Sequence, residues 1–399
     1  MNILVISQYF YPENFRINQL CLDLKNRGHK ITVLTGKPNY PKGEYYDGYS
    51  FKGNENEIWN KIPIIRVPLR ARKSGSVNLF RNYLSFVYHG NKRVKHIQED
   101  FDLIYVFEVS PMTVALPAIK LKKRKKIPII MNVQDLWPEN IIAVTGIKNK
   151  LLIKAVDILV DYIYKNCNLI LTASPSFVDK IKERGIKSKI EYWPQYSIVK
   201  KSEDFSITLD DNRFNIVFTG NIGEAQGIDM AIKAAKELRD YPIHWHFIGD
   251  GRQKNNLEKM VSDYNLTDII TFYGYISEKD IPKYLANADA ALLILKPDPI
   301  FEMTIPAKLQ TYLACGVPIL GCVNGIAKQI IHDADAGLVT DSVSIDSLKH
   351  LCIQFLNLDK EKINKFKNNA IHYGEIYFDK DQLINQLNTY MEDIRNETV

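Results

Sequence analysis

Residues Phe301–Leu320 read FEMTIPAKLQTYLACGVPIL, and this stretch decides the fold. An acid, Glu302, stands before a helix that Pro306 starts. That helix carries Lys308 and Gln310, and it closes at Cys315-Gly316-Val317-Pro318 before a new apolar strand. Upstream, the apolar run Ala288–Leu295 ends in Lys296-Pro297-Asp298-Pro299, so a buried strand delivers the loop to a sheet edge. Open α/β sheets bind ligands at the carboxyl ends of their strands, where helix N-termini favour anions. An acid, a cation and an amide placed there fit a ligand with diphosphate, ribose and sugar parts.

The alternation continues in both directions. Before position 200 the strand candidates are Ile3–Ser7, Lys30–Thr35, Ile64–Val67, Leu103–Phe107, Ile129–Val133 and Leu169–Ala173. Helical patterns such as Phe15–Arg27, Val77–Gln98 and Lys150–Lys165 separate them. A Pro-, Ser-, Asp- and Lys-rich passage over Tyr192–Arg213 reads as a linker. The pattern then restarts at Asn215–Thr219, His246–Ile248, Ile270–Tyr273, Ala290–Leu295, Pro318–Val323 and Gly337–Thr340. Two such βα arrays predict twin Rossmann-like α/β domains, about 1–195 and 210–375, facing a central cleft. A last helix within 380–399 is free to pack back on the first domain.

Bulk properties narrow the class. With 399 residues, 46% hydrophobic and 25% charged, the chain is an ordinary two-domain globular protein. No run approaches the length of a spanning helix, and MNILVISQYF reads as a core strand rather than a signal peptide. Five scattered cysteines without metal spacing indicate reduced thiols in a cytoplasm. The net charge of +6 hides a split: residues 1–200 hold 32 Lys and Arg against 17 Asp and Glu, and the rest hold 20 against 29. A basic first half faces an anionic membrane better than nucleic acid, since no recognition-helix or RNP-like motif accompanies it. Val77–Val87 (VNLFRNYLSFV) has six large apolar residues, with Arg70, Arg72, Lys73, Arg81, Lys92, Arg93 and Lys95 around them. It reads equally as a membrane-interface helix or a core helix with a basic outer face. The run Lys120–Lys126 (KLKKRKK) is a second cationic cluster, placed after a helix.

Several segments together resemble the family 4 retaining glycosyltransferases of GT-B architecture. They are Met1–Phe10 with Cys21–Thr35 (CLDLKNRGHKITVLT), Val217–Asp229 (VFTGNIGEAQGID), Phe247–Leu257 (FIGDGRQKNNL), Ile270–Tyr275 (ITFYGY) and Ala288–Leu320. Within that family QYFYPENFR (Gln8–Arg16), VQDLWPENI (Val133–Ile141) and FEMTIPAKLQTYLACG (Phe301–Gly316) are similar to O-antigen and capsule transferases. The nearest subgroup is the L-fucosamine (N-acetyl-L-fucosaminyl) transferases. The resemblance implies a hexosyltransferase moving a sugar from a UDP-sugar, UDP-N-acetyl-L-fucosamine in that subgroup, to a polyprenyl-diphosphate-linked saccharide. It implies retention, no metal and no cofactor, with the protein peripheral on the inner face of the cell membrane.

The family motif is Glu, seven residues, Glu; here the positions hold Glu302 and Gln310. Glu302 is the expected catalytic acid beside the donor sugar, or else a helix-cap acid. Gln310 is the expected ribose reader, with an amide where relatives have a carboxylate. Asn221 and Gln226 occupy phosphate-loop positions where relatives carry Arg and Lys, so Lys308 and then Arg252 become the expected diphosphate cations. Gly220, Asn221 and Tyr275 complete the donor-binding set. Asp135 and Glu108, at strand ends, are the expected catalytic carboxylates for the acceptor, though each can instead cap a helix. Asn14, Arg16 and Gln134 are the expected acceptor contacts. Two other readings share this architecture: a UDP-sugar 2-epimerase and a non-catalytic nucleotide-sugar-binding subunit. A dinucleotide oxidoreductase is disfavoured, because Gln8–Pro12 stands where GxGxxG would follow the first strand.

Overall fold

The computed structural model describes residues 1–397 except 74, 146–148, 200, 203, 205, 206 and 211. Five positions of the expected linker therefore lie outside the described residues. The chain divides into two compact units, Met1–Trp193 with Ile384–Val399, and Pro194–Leu383.

Unit 1 is built on β1 (Asn2–Ile6), β2 (Lys30–Thr35), β3 (Asn56–Trp59), β4 (Ile62–Arg66), β5 (Leu103–Glu108), β6 (Ile129–Val133), β7 (Leu169–Thr172) and β8 (Lys189–Tyr192). They lie in the order β3-β4-β2-β1-β5-β6-β7-β8, parallel except that β3 runs antiparallel to β4. The central strands are buried throughout and mostly apolar because helices cover both faces. The C-terminal helix Lys380–Asn396 joins this unit: His29 and Arg27 bond the Asn388 and Asn385 side chains, and Arg395 pairs with Asp102.

Unit 2 holds β9 (Phe214–Thr219), β10 (Ile243–Ile248), β11 (Ile270–Gly274), β12 (Ala290–Ile294), β13 (Ile319–Cys322) and β14 (Gly337–Val339). All pair in parallel, in the order β11-β10-β9-β12-β13-β14. Chain order reverses between β9 and β12 here and between β1 and β5 in unit 1. Those switch points open a crevice at the strands' carboxyl ends.

The basic run Lys120–Lys126 lies elsewhere than expected. Most of it is the last turn of helix Ala115–Lys125, not a segment after the helix. Lys122 donates to Asn166 and Asn168, Arg124 to the Val94, Lys95 and Ile97 carbonyls, and Lys125 to Gln98, Glu99 and Asp100. These three cations are spent on chain ends within the unit. Helix Ser76–Arg93 faces two ways: Leu79, Tyr83 and Phe86 are buried, while Val77, Leu84 and Tyr88 are about two-thirds exposed.

Candidate functional site

In unit 2 the loop after β9 and the loop after β10 lie backbone on backbone. Gly220 N–H donates to Ile248 O (2.9 Å) and Ile222 N–H to Asp250 O (2.8 Å). A Cβ on Gly249 would sit 1.8 Å from Gly220 O, and one on Gly251 2.3 Å from Ile222 O. The Gly-Asp-Gly turn is thus a close-packing device. The alternate amides, of Asn221 and Gly223, make no backbone hydrogen bond among the described residues. An exposed row of amides of this kind is suited to an anion.

Lys308 crosses this loop. Its Nζ lies 3.6 Å from the Phe218 ring centroid and donates to Gln226 Oε1. Its Cε and Nζ lie directly over Gly220, 3.5 and 3.6 Å from where a Cβ would stand, which is ordinary contact. Burial without a compensating carboxylate holds the ammonium pKa well below the usual lysine range. A bound anion would supply the missing countercharge. Gln226 gains a role the sequence did not show, as the side chain that holds Lys308. The neighbouring cation, Lys296, is already neutralised by Glu224 (3.7 Å) and Asp229 (3.8 Å).

Helix Ala307–Cys315 is fixed by Tyr312, whose hydroxyl accepts from Thr219 N–H (3.0 Å) and reaches Leu292 O (3.3 Å). It thereby ties the helix to both strands of the switch point, a second role the sequence did not mark. Gln310 is 2% exposed, and its amide nitrogen donates to Gln195 O at 2.8 Å. This explains the amide, since a carboxylate there would face a carbonyl. Glu302 ends a separate helical turn, Pro299–Glu302, capped by Asp298. Its Oε1 accepts from Asn324 Nδ2 (3.2 Å), and Gly325, at φ +65°, lets the next helix abut its carbonyl. Asn324, at the cap of helix Gly325–Asp333, was not singled out, although an Asn-Gly pair after an apolar strand is a usable signal. Arg252 and Tyr275 are exposed at the ends of their loops.

Unit 1 offers a different surface at its own switch point. A cavity of about 160 Å³ is walled by Tyr9, Phe15, Tyr40, Tyr83 and Trp137, with Arg72 and Asp135 as its charged groups. Tyr9 stacks on Phe15 (5.0 Å between centroids), and its buried hydroxyl has no partner. Burial raises the Asp135 pKa, against hydrogen bonds from Ser110 and Asn140. Trp137 Nε1 donates to Ser110 Oγ at 3.0 Å, which fixes that contact. Glu13, 1% exposed, accepts from Asn39 and Tyr40 N–H (both 2.8 Å) and holds the cavity rim. Burial pushes its pKa up to about 7.

Two expected residues point away from this cavity. Glu108 is fully buried behind Asp135; it accepts from Asp135 N–H (3.3 Å), and its other oxygen is unpartnered. Burial and the Asp135 charge hold its pKa well above the usual carboxyl value, and its burial behind Asp135 keeps it from lining the cavity. Gln134 is turned into the sheet, donating to Asn132 Oδ1, which itself bonds Tyr105. Both corrections follow from side-chain direction at a strand end, which spacing does not give. Asn14 is exposed and Arg16 opens helix Arg16–Asn26; neither lines the cavity.

The sequence pattern described as Glycosyltransferase Family 4 matches residues 15–195, and that described as Glycosyl transferases group 1 matches residues 199–373. Both halves of the chain are glycosyltransferase domains. WcaI of Escherichia coli K12, named as a colanic acid biosynthesis glycosyl transferase, is 25% identical over 342 residues, covering 79% of this chain and 82% of the relative. The 2-deoxystreptamine N-acetyl-D-glucosaminyltransferase of Niallia circulans is 24% identical over 186 residues, 43% of this chain and 46% of that one. Among solved structures, the sucrose-phosphate synthase of Thermosynechococcus elongatus superposes with TM-score 0.78, at 14% identity and 98% coverage of each chain. WaaG, a glycosyltransferase involved in lipopolysaccharide biosynthesis, gives 0.66 at 14% identity and 99% coverage of each. Anabaena HepE in complex with UDP gives 0.70 at 14% identity, over 98% of this chain and all of that one. At such identities the likeness concerns the fold, which is GT-B. Among the described residues, no helix of the transferase is long and apolar enough to cross a membrane.

Proposed function

We propose that the transferase moves a sugar from a UDP-sugar to a polyprenyl-diphosphate-linked saccharide during surface polysaccharide assembly, peripheral to the inner face of the membrane. The carrying observation is Lys308: a half-buried ammonium with no carboxylate beside it, laid over Gly220 at the mouth of an amide-rich loop. The UDP complex of HepE and the polysaccharide roles named for WcaI and WaaG favour the same reading. The donor diphosphate rests on Lys308 and on the amides of Asn221 and Gly223. Arg252 and Tyr275 reach it from the neighbouring loops. The anomeric C–O bond breaks toward the diphosphate, whose new charge these donors stabilise. The acceptor hydroxyl bonds to the anomeric carbon on the same face and passes its proton to the departing phosphate oxygen, so configuration is retained. Glu302, steadied by Asn324, offsets positive charge at the anomeric carbon, while Gln310 presents its carbonyl to the ribose. Asp135 orients the acceptor hydroxyl.

Metal independence belongs to this proposal. Of the Asp333-Ala334-Asp335 pair of acids, Asp335 is taken up by Lys362 (3.1 Å) and Lys365 (2.9 Å). N-acetyl-L-fucosamine as the sugar is the finer proposal, carried by the resemblance of the three quoted segments. Purified protein incubated with UDP-sugars and a short polyprenyl-diphosphate saccharide tests it. Transfer with retention, insensitive to chelator, is expected. Isomerisation of the donor without acceptor would make the protein a 2-epimerase, and binding without turnover would make it a donor-binding subunit.

A further inference from the structure

Two charged groups line the aromatic cavity of unit 1, and only one of them is satisfied. Asp135 accepts hydrogen bonds from Ser110 and Asn140. The Arg72 guanidinium carbon lies 5.7 Å from the Tyr40 ring centroid, a stacking that occupies a flat face and leaves N–H edges open. Among the described residues those N–H groups have no hydrogen bond and no ion pair. The Asp135 carboxylate feels the charge of Arg72 but does not pair with it. Other arginines of the unit are committed: Arg66 to Glu57 and the Gly36 and Tyr11 carbonyls, Arg184 to Asp157 and Asp161. The Tyr9 hydroxyl, buried in the same wall, also lacks a partner. Polar groups left open inside a cavity point to a ligand that completes them.

The arginine is set in place from its backbone. Its N–H donates to Asn39 Oδ1 (2.8 Å), Arg70 N–H to Ser85 Oγ (2.9 Å) and Lys73 N–H to Gly43 O (3.1 Å). Glu13 holds Asn39 and Tyr40 in turn. A side chain anchored at its stem and stacked at its head loses little freedom on binding. By sequence Arg72 is one of a basic collar around helix Ser76–Arg93; by position it faces the cavity. A single water needs about 10–15 Å³, so the cavity of about 160 Å³ takes a ring-sized group. A planar guanidinium fork matches a carboxylate or a phosphate. Asp135 repels such a group from its own end, so the cavity has a polarity: anion toward Arg72, hydroxyl toward Asp135.

We infer that Arg72 determines specificity by binding an oxyanion, carboxylate or phosphate, carried on the acceptor sugar whose hydroxyl faces Asp135. This rests on the proposal that the cavity is the acceptor site and deepens it, by making the acceptor an anionic sugar rather than a neutral one.

The test uses the full chain in saturating UDP, which keeps anionic probes off Lys308, and measures binding by ligand-detected NMR titration. Two matched pairs are compared: methyl glucuronide against methyl glucoside, and N-acetylglucosamine 1-phosphate against methyl N-acetylglucosaminide. At least one anionic probe is expected to bind tenfold or more tightly than its neutral partner. A gain in the first pair alone identifies a carboxylate, one in the second alone a phosphate, and gains in both a site that reads either; each supports the inference. Arg72→Met and the polar Arg72→Gln should each bring the gain below threefold, with neutral-probe affinity and melting temperature unchanged. No gain in either pair would overturn the inference, and so would a gain that survives both variants. Equal loss of neutral and anionic binding in the folded variants would also overturn it, leaving Arg72 as a support for the Tyr40 ring. Neither donor sugar nor turnover enters this assay, so its failure leaves the transferase reading standing. Conversely, absence of transfer with the anion-dependent gain intact would refute only the reaction.

Discussion

The two units are the same scaffold carrying opposite chemistry at the same place. Each is a parallel sheet whose chain order reverses beside its first strand. In unit 2 the reversal is dressed with glycine and bare amides, and one lysine lies across them. In unit 1 it is dressed with aromatic rings, an arginine and two carboxylic acids, one of them buried behind the other. Topology supplies the crevice, and the loop residues choose the ligand. Glycines that let two loops touch also expose amides, which suits phosphate. Stacked and tilted rings lining the cavity with Asp135 suit the faces and hydroxyls of a sugar.

That division of labour can be broken from either side. Asp135→Asn should cut turnover roughly 100-fold, the usual cost of a misplaced reacting group once the acceptor hydroxyl loses the carboxylate that orients it, while UDP affinity stays unchanged. Paired kinetics and calorimetry check it, and a parallel loss of UDP binding would erase the distinction between the units. Gly249→Ala drives a methyl into Gly220 O and should cost about 3 kcal/mol of stability, with UDP affinity falling alongside. Thermal melts with and without UDP read both effects.

A smaller effect comes from Glu13 in unit 1. Its folded pKa, about 7, lies above the ordinary carboxyl value of 4.5, so the folded state keeps the proton longer. Its contribution is fully present below the ordinary value and is lost as pH rises through 7, by about 3 kcal/mol. Glu13→Gln should flatten that slope in melts across the window, at a fixed cost for the lost Phe10 contact. The smallest expected change is Gln310→Glu, which restores the family carboxylate but sets it against Gln195 O. Denaturant titration should show a loss of about 1 kcal/mol. A gain would mean that the Gln195 contact does not hold the amide.

Much of this was legible beforehand, for identifiable reasons. The twelve apolar runs read as strands all became strands, because parallel strands covered on both faces need unbroken apolar sequence. The two strands that escaped, Asn56–Trp59 and Lys189–Tyr192, are half-polar edge strands without such a run. Lys308 drew notice because it shares a helix with Gln310 of the motif. That Gln226 partners it was not legible, since 82 positions separate them and only folding brings them together. Glu108 and Gln134 were placed at the right strand ends, but which way each side chain turns depends on the local pleat.

The central claim is that Lys308 is a buried ammonium without a carboxylate partner, whose countercharge a nucleoside diphosphate supplies. Calorimetric titration of the wild type and of Lys308→Met with UDP at neutral pH tests it most directly. The account predicts for Lys308→Met a loss of affinity of at least 30-fold, about 2 kcal/mol for a charged hydrogen-bonding group. UDP binding to Lys308→Met with wild-type affinity would contradict it.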